Sequence, residues 1–198
     1  MLIPTARSEA EIEVKRSRFI AIAIPTFSME EVKEAVLSVR KEHPDATHVV
    51  HASVIGKAGT MYSSSDDREP KNTAGRPALE VVKGSGITNI TVAIVRYFGG
   101  TLLGTGGLVK AYSDSAKAVL AIVPTEELIE KTEFSMTLPY NSYTLIKRLL
   151  ESVSAEILKE NFDINIKIEG RIPSSNLATM EAEAMDIGQG KILLSIST

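Results

Sequence analysis

Residues 9–15 alternate Glu9, Glu11 and Glu13 with Ala10, Ile12 and Val14. A period of two gives one wet face and one buried face, which predicts a strand. Arg16 and Ser17 turn the chain into a second, more apolar strand over 18–24, ended by Pro25. Ser28, with Glu31 three residues later, has the spacing of a capping box. Val32, Ala35, Val36 and Val39 then make one stripe of an amphipathic helix, stopped at His43-Pro44. Residues 47–56 read as a strand. Residues 57–76 are polar and aperiodic, a long connector for a compact domain, which points to function or mobility. Pro77 opens a short helix to Gly84 or Gly86. The β-branched run 89–96 predicts a central strand buried on both faces. A glycine-rich loop follows. It leads into a helix over 105–123 with Leu108, Tyr112, Ala116, Val119 and Val123 at helical spacing.

Beyond residue 132 the pattern restarts. A strand over 132–138 precedes a helix with the stripe Leu145, Ile146, Leu149, Leu150 and Val153. Strands over 155–162 and from Ile164 through Ile168 come next. A helix opened by Pro173-Ser174 follows, with the stripe Leu177, Met180, Ala184 and Ile187, and then a last strand over 191–197. The order βαββαβ is that of a ferredoxin-like module. The expected fold class is therefore α+β with two domains, 1–132 and 133–198.

Composition narrows the functions. Hydrophobic residues make up 43% of the 198 residues and charged residues 24%, enough apolar material for a packed core and too much for global disorder. With no cysteine, disulfides and thiolate metal sites are excluded, and a reducing compartment is the simpler expectation. No apolar run reaches the roughly 18 residues that span a bilayer. The N-terminus turns acidic and alternating where a signal peptide needs its apolar stretch, so a cytoplasmic protein without membrane association is expected. The net charge of -3 lies entirely in residues 133–198, which hold 6 Lys+Arg against 9 Asp+Glu, whereas residues 1–132 hold 16 of each. Any contact with nucleic acid must then come from a local patch. With 5% aromatic residues and no tryptophan, a base-stacking platform is disfavoured.

The most distinctive chemistry lies between the buried strand and the helix that follows it. Five of the nine residues from Gly99 to Gly107 are glycine: Gly99, Gly100, Gly104, Gly106 and Gly107, with Thr105 among them. Backbone N–H groups converging on a positive helix end make an anion cradle, with Arg96 just before it and Lys110 one turn into the helix. The loop matches neither a P-loop, because Thr105 stands where lysine is needed, nor a dinucleotide fingerprint, because Val109 replaces the last glycine. Positive φ and close strand–helix packing explain the glycines equally well. In the connector, Asp66, Asp67 and Glu69 are hard oxygen ligands, but their spacing is not that of an EF-hand, and a polar turn is the better expectation; no metal or cofactor is expected. Arg76 joins Arg96 near the glycines if the connector folds back. His48 and His51, three apart in a strand, face opposite ways, which defeats a shared metal site. No nucleophile elbow accompanies them, so hydrolase chemistry is not expected. Lys15, Arg16 and Arg18 cluster at a hairpin and are solvated or touch phosphate.

RYFGG at 96–100, LLGTGGL at 102–108, SDDREP at 65–70, TAGRP at 73–77 and KRSRFI at 15–20 together resemble the signature of the IMPACT/YigZ family. The resemblance implies an N-terminal β-α domain similar to domain IV of elongation factor G and a C-terminal domain similar to its domain V. The resemblance implies that eukaryotic relatives regulate translation through an additional domain that is not expected in this chain. By motif, the implied site residues are Arg96, Gly99, Gly100, Gly104, Thr105, Gly106, Gly107 and Lys110, with Asp66, Asp67, Glu69, Arg76 and Arg18 as a second block. Members often carry a polar or cysteine-bearing stretch after the residue equivalent to His48. Here it is Val49-Val50-His51, which weakens a catalytic reading. The expectation is a non-enzymatic, translation-associated protein whose partner is RNA or a ribosome-associated protein. The alternative is an enzyme or binding protein for a small phosphorylated ligand or nucleotide at the same loop. Fold similarity to a translation factor is analogy only.

Overall fold

The computed structural model describes residues 1–197, arranged as two compact units, the first over 1–128 and the second from residue 129 on. The first contains β1 (Leu2–Pro4), β2 (Ser8–Val14), β3 (Ser17–Pro25), α1 (Met29–Glu42), β4 (His48–Ile55) and β5 (Met61–Ser65). It continues with α2 (Gly75–Gly84), β6 (Ile90–Tyr97), α3 (Gly104–Leu120) and β7 (Thr125–Glu127). Five strands form one antiparallel sheet in the order β2-β3-β6-β4-β5, and β1 pairs with β7 beside it.

Side-chain alternation divides the sheet into two buried faces. Phe19, Ala21, Val50, Ala52, Val92 and Ile94 point to the side covered by α2 and α3, where Ala78, Val82, Ala111 and Tyr112 meet them. Ile20, Ile22, Val49, Ala93 and Val95 point to the other side, under Val39 of α1. The apolar run of β6 is thus central and covered on both faces. Helix α1 begins as its sequence predicts: Ser28 Oγ accepts the Glu31 amide at 3.1 Å, and the Glu31 carboxylate accepts the Phe27 amide at 2.8 Å.

The connector 57–76 is not structureless, contrary to expectation. It contains β5, the edge strand beside β4. The segment MYSSS carries three serines and no apolar alternation, because an edge strand with solvated faces does not need one. Strand β1 and strand β7, three residues each, were likewise too short to leave a period. Helix α3 ends at Leu120 rather than at residue 123.

The second unit runs β8 (Lys131–Leu138), α4 (Tyr143–Ser152), β9 (Glu156–Phe162), β10 (Ile166–Pro173), α5 (Leu177–Gly188) and β11 (Leu193–Ser197). Short 3₁₀ turns lead into both helices. The strand order β11-β8-β10-β9, antiparallel throughout, is the ferredoxin-like arrangement. Met136, Leu138, Ile166 and Ile168 on one face of the sheet pack against Ile146, Leu150 and Met180 of the helices. The opposite face carries Glu133 paired with Arg171 at 2.9 Å and Lys167 paired with Glu169 at 2.6 Å. Such a face, polar and without aromatic residues among the described residues of β8 and β10, offers no stacking surface to bases.

Candidate functional site

Strand register sets the site. Phe19 of β3 lies opposite Arg96 of β6, and Arg96 lies opposite His48 of β4. The three side chains therefore stand in one row on the α2–α3 side, at the end of the sheet where β6 leaves for the glycine loop. His51, three residues on, points to the other side, and its Nε2 lies 3.0 Å from Ser63 Oγ. Burial lowers the pKa of His51, opposed by the Asp67 carboxylate.

Glu69, in the connector after β5, reaches into this row. Its Oε1 accepts a 2.5 Å bond from Arg96 Nη1 and a 2.7 Å bond from the Tyr112 hydroxyl of α3. Burial first, and the bond to Glu69 second, push the Tyr112 phenol far above its ordinary range, so it stays protonated and donates. His48 Nε2 stands 3.7 Å from the same oxygen. His48 Nδ1 lies 2.8 Å from the backbone carbonyl of Asp67, which can only accept, so Nδ1 carries the hydrogen and a neutral ring leaves a lone pair on Nε2. Arg96 is 5% exposed, with its guanidinium 5.5 Å from the Phe19 ring and 5.6 Å from the Phe98 ring. Its Nε finds no acceptor among the described residues.

His48, Glu69 and Arg96 form the floor of a pocket of about 440 Å³ whose walls are apolar: Phe98, Leu102, Leu103 and Leu108. Thr47 and Pro70 complete the rim, and Gly104 and Thr105 at the start of α3 close it. Leu103 precedes α3 without a side-chain cap, and no acidic residue occupies the first turn. The positive end of α3 thus borders the pocket uncancelled. Helix α2 is the contrast. There the Asp66 carboxylate accepts the amides of Asn72, Ala74 and Gly75 at 2.7, 3.1 and 2.8 Å, so an internal anion fills the position.

Gly99 shows why the loop is glycine-rich. A Cβ on Gly99 would sit 2.1 Å from the Arg16 carbonyl carbon and 2.5 Å from the Ser17 nitrogen. Only glycine lets the loop lie on the β2–β3 turn, where the Gly99 amide donates to Ser17 Oγ at 3.2 Å. Gly100 and Gly104 take positive φ, 81° and 73°, which places them in the left-handed region that glycine enters freely. Gly106 and Gly107 fall in the first turn of α3, with Gly107 against Leu103. The KRSRF and RYFGG segments, 82 residues apart at the Ser17–Gly99 contact, therefore share one corner.

The remaining expected residues divide clearly. Arg96 gives its charge to Glu69 rather than to the loop. Lys110 is 78% exposed and pairs with Asp114 at 2.6 Å, one turn farther along α3, away from the glycines. Arg18 pairs with Glu11 across the hairpin at 2.9 Å. Asp67 Oδ2 accepts the Val49 amide at 2.7 Å and also pairs with Arg40. Arg76 is exposed on α2, in a shallow groove between α2 and α3 with Glu80, Val109 and Lys117, not at the glycines. Among the described residues no set of three His, Asp or Glu is placed to hold a metal ion. The sequence left open whether Lys15 and Arg16 at the hairpin turn are merely solvated or touch phosphate. Both are exposed, with no ion-pair partner among the described residues.

The family model for the Impact N-terminal domain matches residues 15–120, the stretch that builds the hairpin corner, the pocket and the loop. The chain belongs to the IMPACT family. Two curated members align over nearly the whole length. One, the IMPACT family member YigZ of Escherichia coli, is 37% identical, covering 98% of this chain and 96% of its own. Another, an IMPACT family member of Haemophilus influenzae, is 34% identical with the same coverage. A crystal structure of a hypothetical protein superposes with a TM-score of 0.70 at 37% identity, covering 98% of this chain and 95% of that one. The two-unit α+β architecture is thus shared with a solved structure across both units. No described helix is long and apolar enough to cross a membrane.

Proposed function

We propose that this IMPACT family protein acts in translation by binding RNA, without catalysis, through the corner where the β2–β3 turn meets the glycine loop. One observation carries the reading: Gly99 seats the loop on Arg16 and Ser17, so two basic side chains without ion-pair partners among the described residues stand at the start of the loop that leads into the uncapped end of α3. Phosphate oxygens are recognised by this combination of point charges and backbone amides. The family's relation to translation regulators supports the setting. The acidic residues of 133–198 support placing a protein partner, rather than RNA, on the second unit.

The test is RNA affinity as a function of salt. Binding should weaken steeply as salt rises, and Lys15→Ala with Arg16→Ala should reduce the log–log slope by roughly one to two. Arg96→Ala is the contrasting variant: its charge is already engaged by Glu69, so it should change stability more than slope. Binding that ignores salt, or a double variant with an unaltered slope, would count against RNA phosphates at this corner.

A further inference from the structure

The pocket behind the glycine loop has features that phosphate binding does not use. Backbone amides and surface lysines suffice for a phosphate, yet here four apolar side chains line a cavity of about 440 Å³ whose floor is polar. That volume lies in the range of small-molecule sites, and apolar walls with few fixed polar groups are their usual construction. Phe98 and Leu102 remain 46% and 83% exposed at the mouth, an apolar rim that solvent gives no reason to keep. At the floor, the Asp67 carbonyl orients His48 so that a neutral ring leaves its lone pair on Nε2, 3.7 Å from the Glu69 carboxylate, while the Arg96 guanidinium presents donors. An acceptor thus lies beside a donor under an aromatic ring.

Resting on the RNA-binding reading above, we infer that this pocket takes one unstacked nucleobase. Its face lies against Phe98, and its polar edge meets His48 Nε2 and the Arg96 guanidinium. Every base carries a donor next to an acceptor on its pairing edge, so the floor suits a nucleobase as a class. The uncapped start of α3, at Gly104 and Thr105 on the same rim, lies where the attached phosphate would be needed. The absence of an extended aromatic platform is then no obstacle, since a single flipped base needs one ring and one pocket.

The experiment uses the full chain with short single-stranded RNA, the same RNA with one abasic position placed at each site in turn, and free nucleoside monophosphates. Intact RNA should bind roughly tenfold or more tightly than the abasic RNA missing the pocketed base. Phe98→Ala and Leu102→Ala should each erase most of that difference; both side chains are exposed, so the variants fold. A saturable nucleoside monophosphate signal, lost in Phe98→Ala, locates the base pocket without the chain. If RNA fails to bind while the monophosphate does, the phosphate corner is wrong and the pocket stands. If RNA binds with its salt dependence but every abasic RNA matches intact RNA, the pocket inference is overturned and the corner stands.

Discussion

Glu69 is 3% exposed at its side chain and stands between Arg96, Tyr112 and His48. An ion pair buried this deeply contributes little net stability, because the charges must leave water to form it, yet breaking it is expensive. Glu69→Ala leaves the Arg96 guanidinium buried without a counter-charge. It should lower the unfolding free energy by about 3–5 kcal/mol in urea titrations. Replacing both partners, Glu69→Leu with Arg96→Met, should cost clearly less than the single change, because no stranded charge remains. Equal losses would show that packing, not charge, decides the site. The identity of these residues was legible from the sequence, but their role was not. Glu69 looks like one more acid in a polar connector until the fold brings it against Arg96, 27 positions farther along the chain. Arg96 looks like a free cation for the same reason. Local patterns report local faces, and a buried pair between distant segments leaves no period.

At the scale of elements, the hairpin between β2 and β3 is unusual. Its register, Val14 opposite Ser17, leaves Lys15 and Arg16 as a two-residue turn. Both take positive φ, 49° and 66°. Such turns favour Asn-Gly, and a side chain with a Cβ is strained there by roughly 1 kcal/mol per residue. Two basic residues held in that conformation make a functional reading attractive, since strain persists where something else requires it. Lys15→Asn with Arg16→Gly should therefore raise the thermal midpoint by several degrees and weaken RNA binding. A variant that gains stability and keeps full affinity would remove the hairpin from the site. Alternation predicted β2, an apolar run predicted β3, and β-branched content predicted β6, because each buries at least one face. The serine-rich β5 escaped notice because it is an edge whose main contribution is backbone pairing to β4.

Across the whole molecule, charge and chemistry are divided between the two units. Every group invoked at the corner and the pocket belongs to residues 15–108, within the unit that ends at Leu128. The second unit has its own core, supplies the chain's net negative charge, and offers an open sheet face tied up in ion pairs. The restart of the βαββαβ pattern was legible because strands β8 and β10 alternate and the two helices between the strands carry apolar stripes. The corner was not, because it depends on one glycine contact between distant segments. A chain ending at residue 130 keeps β7 paired with β1 and the Leu128 amide bonded to Met1, so the first core is left intact. That truncated protein should still bind RNA with an affinity that falls as salt rises, and at low salt slightly more tightly than the full chain if the acidic second unit repels phosphate at long range. Repulsion of that kind disappears at high salt, so the two affinity curves should converge as salt rises. A truncated chain that folds but loses its affinity would instead assign part of the RNA contact to the second unit, despite its charge.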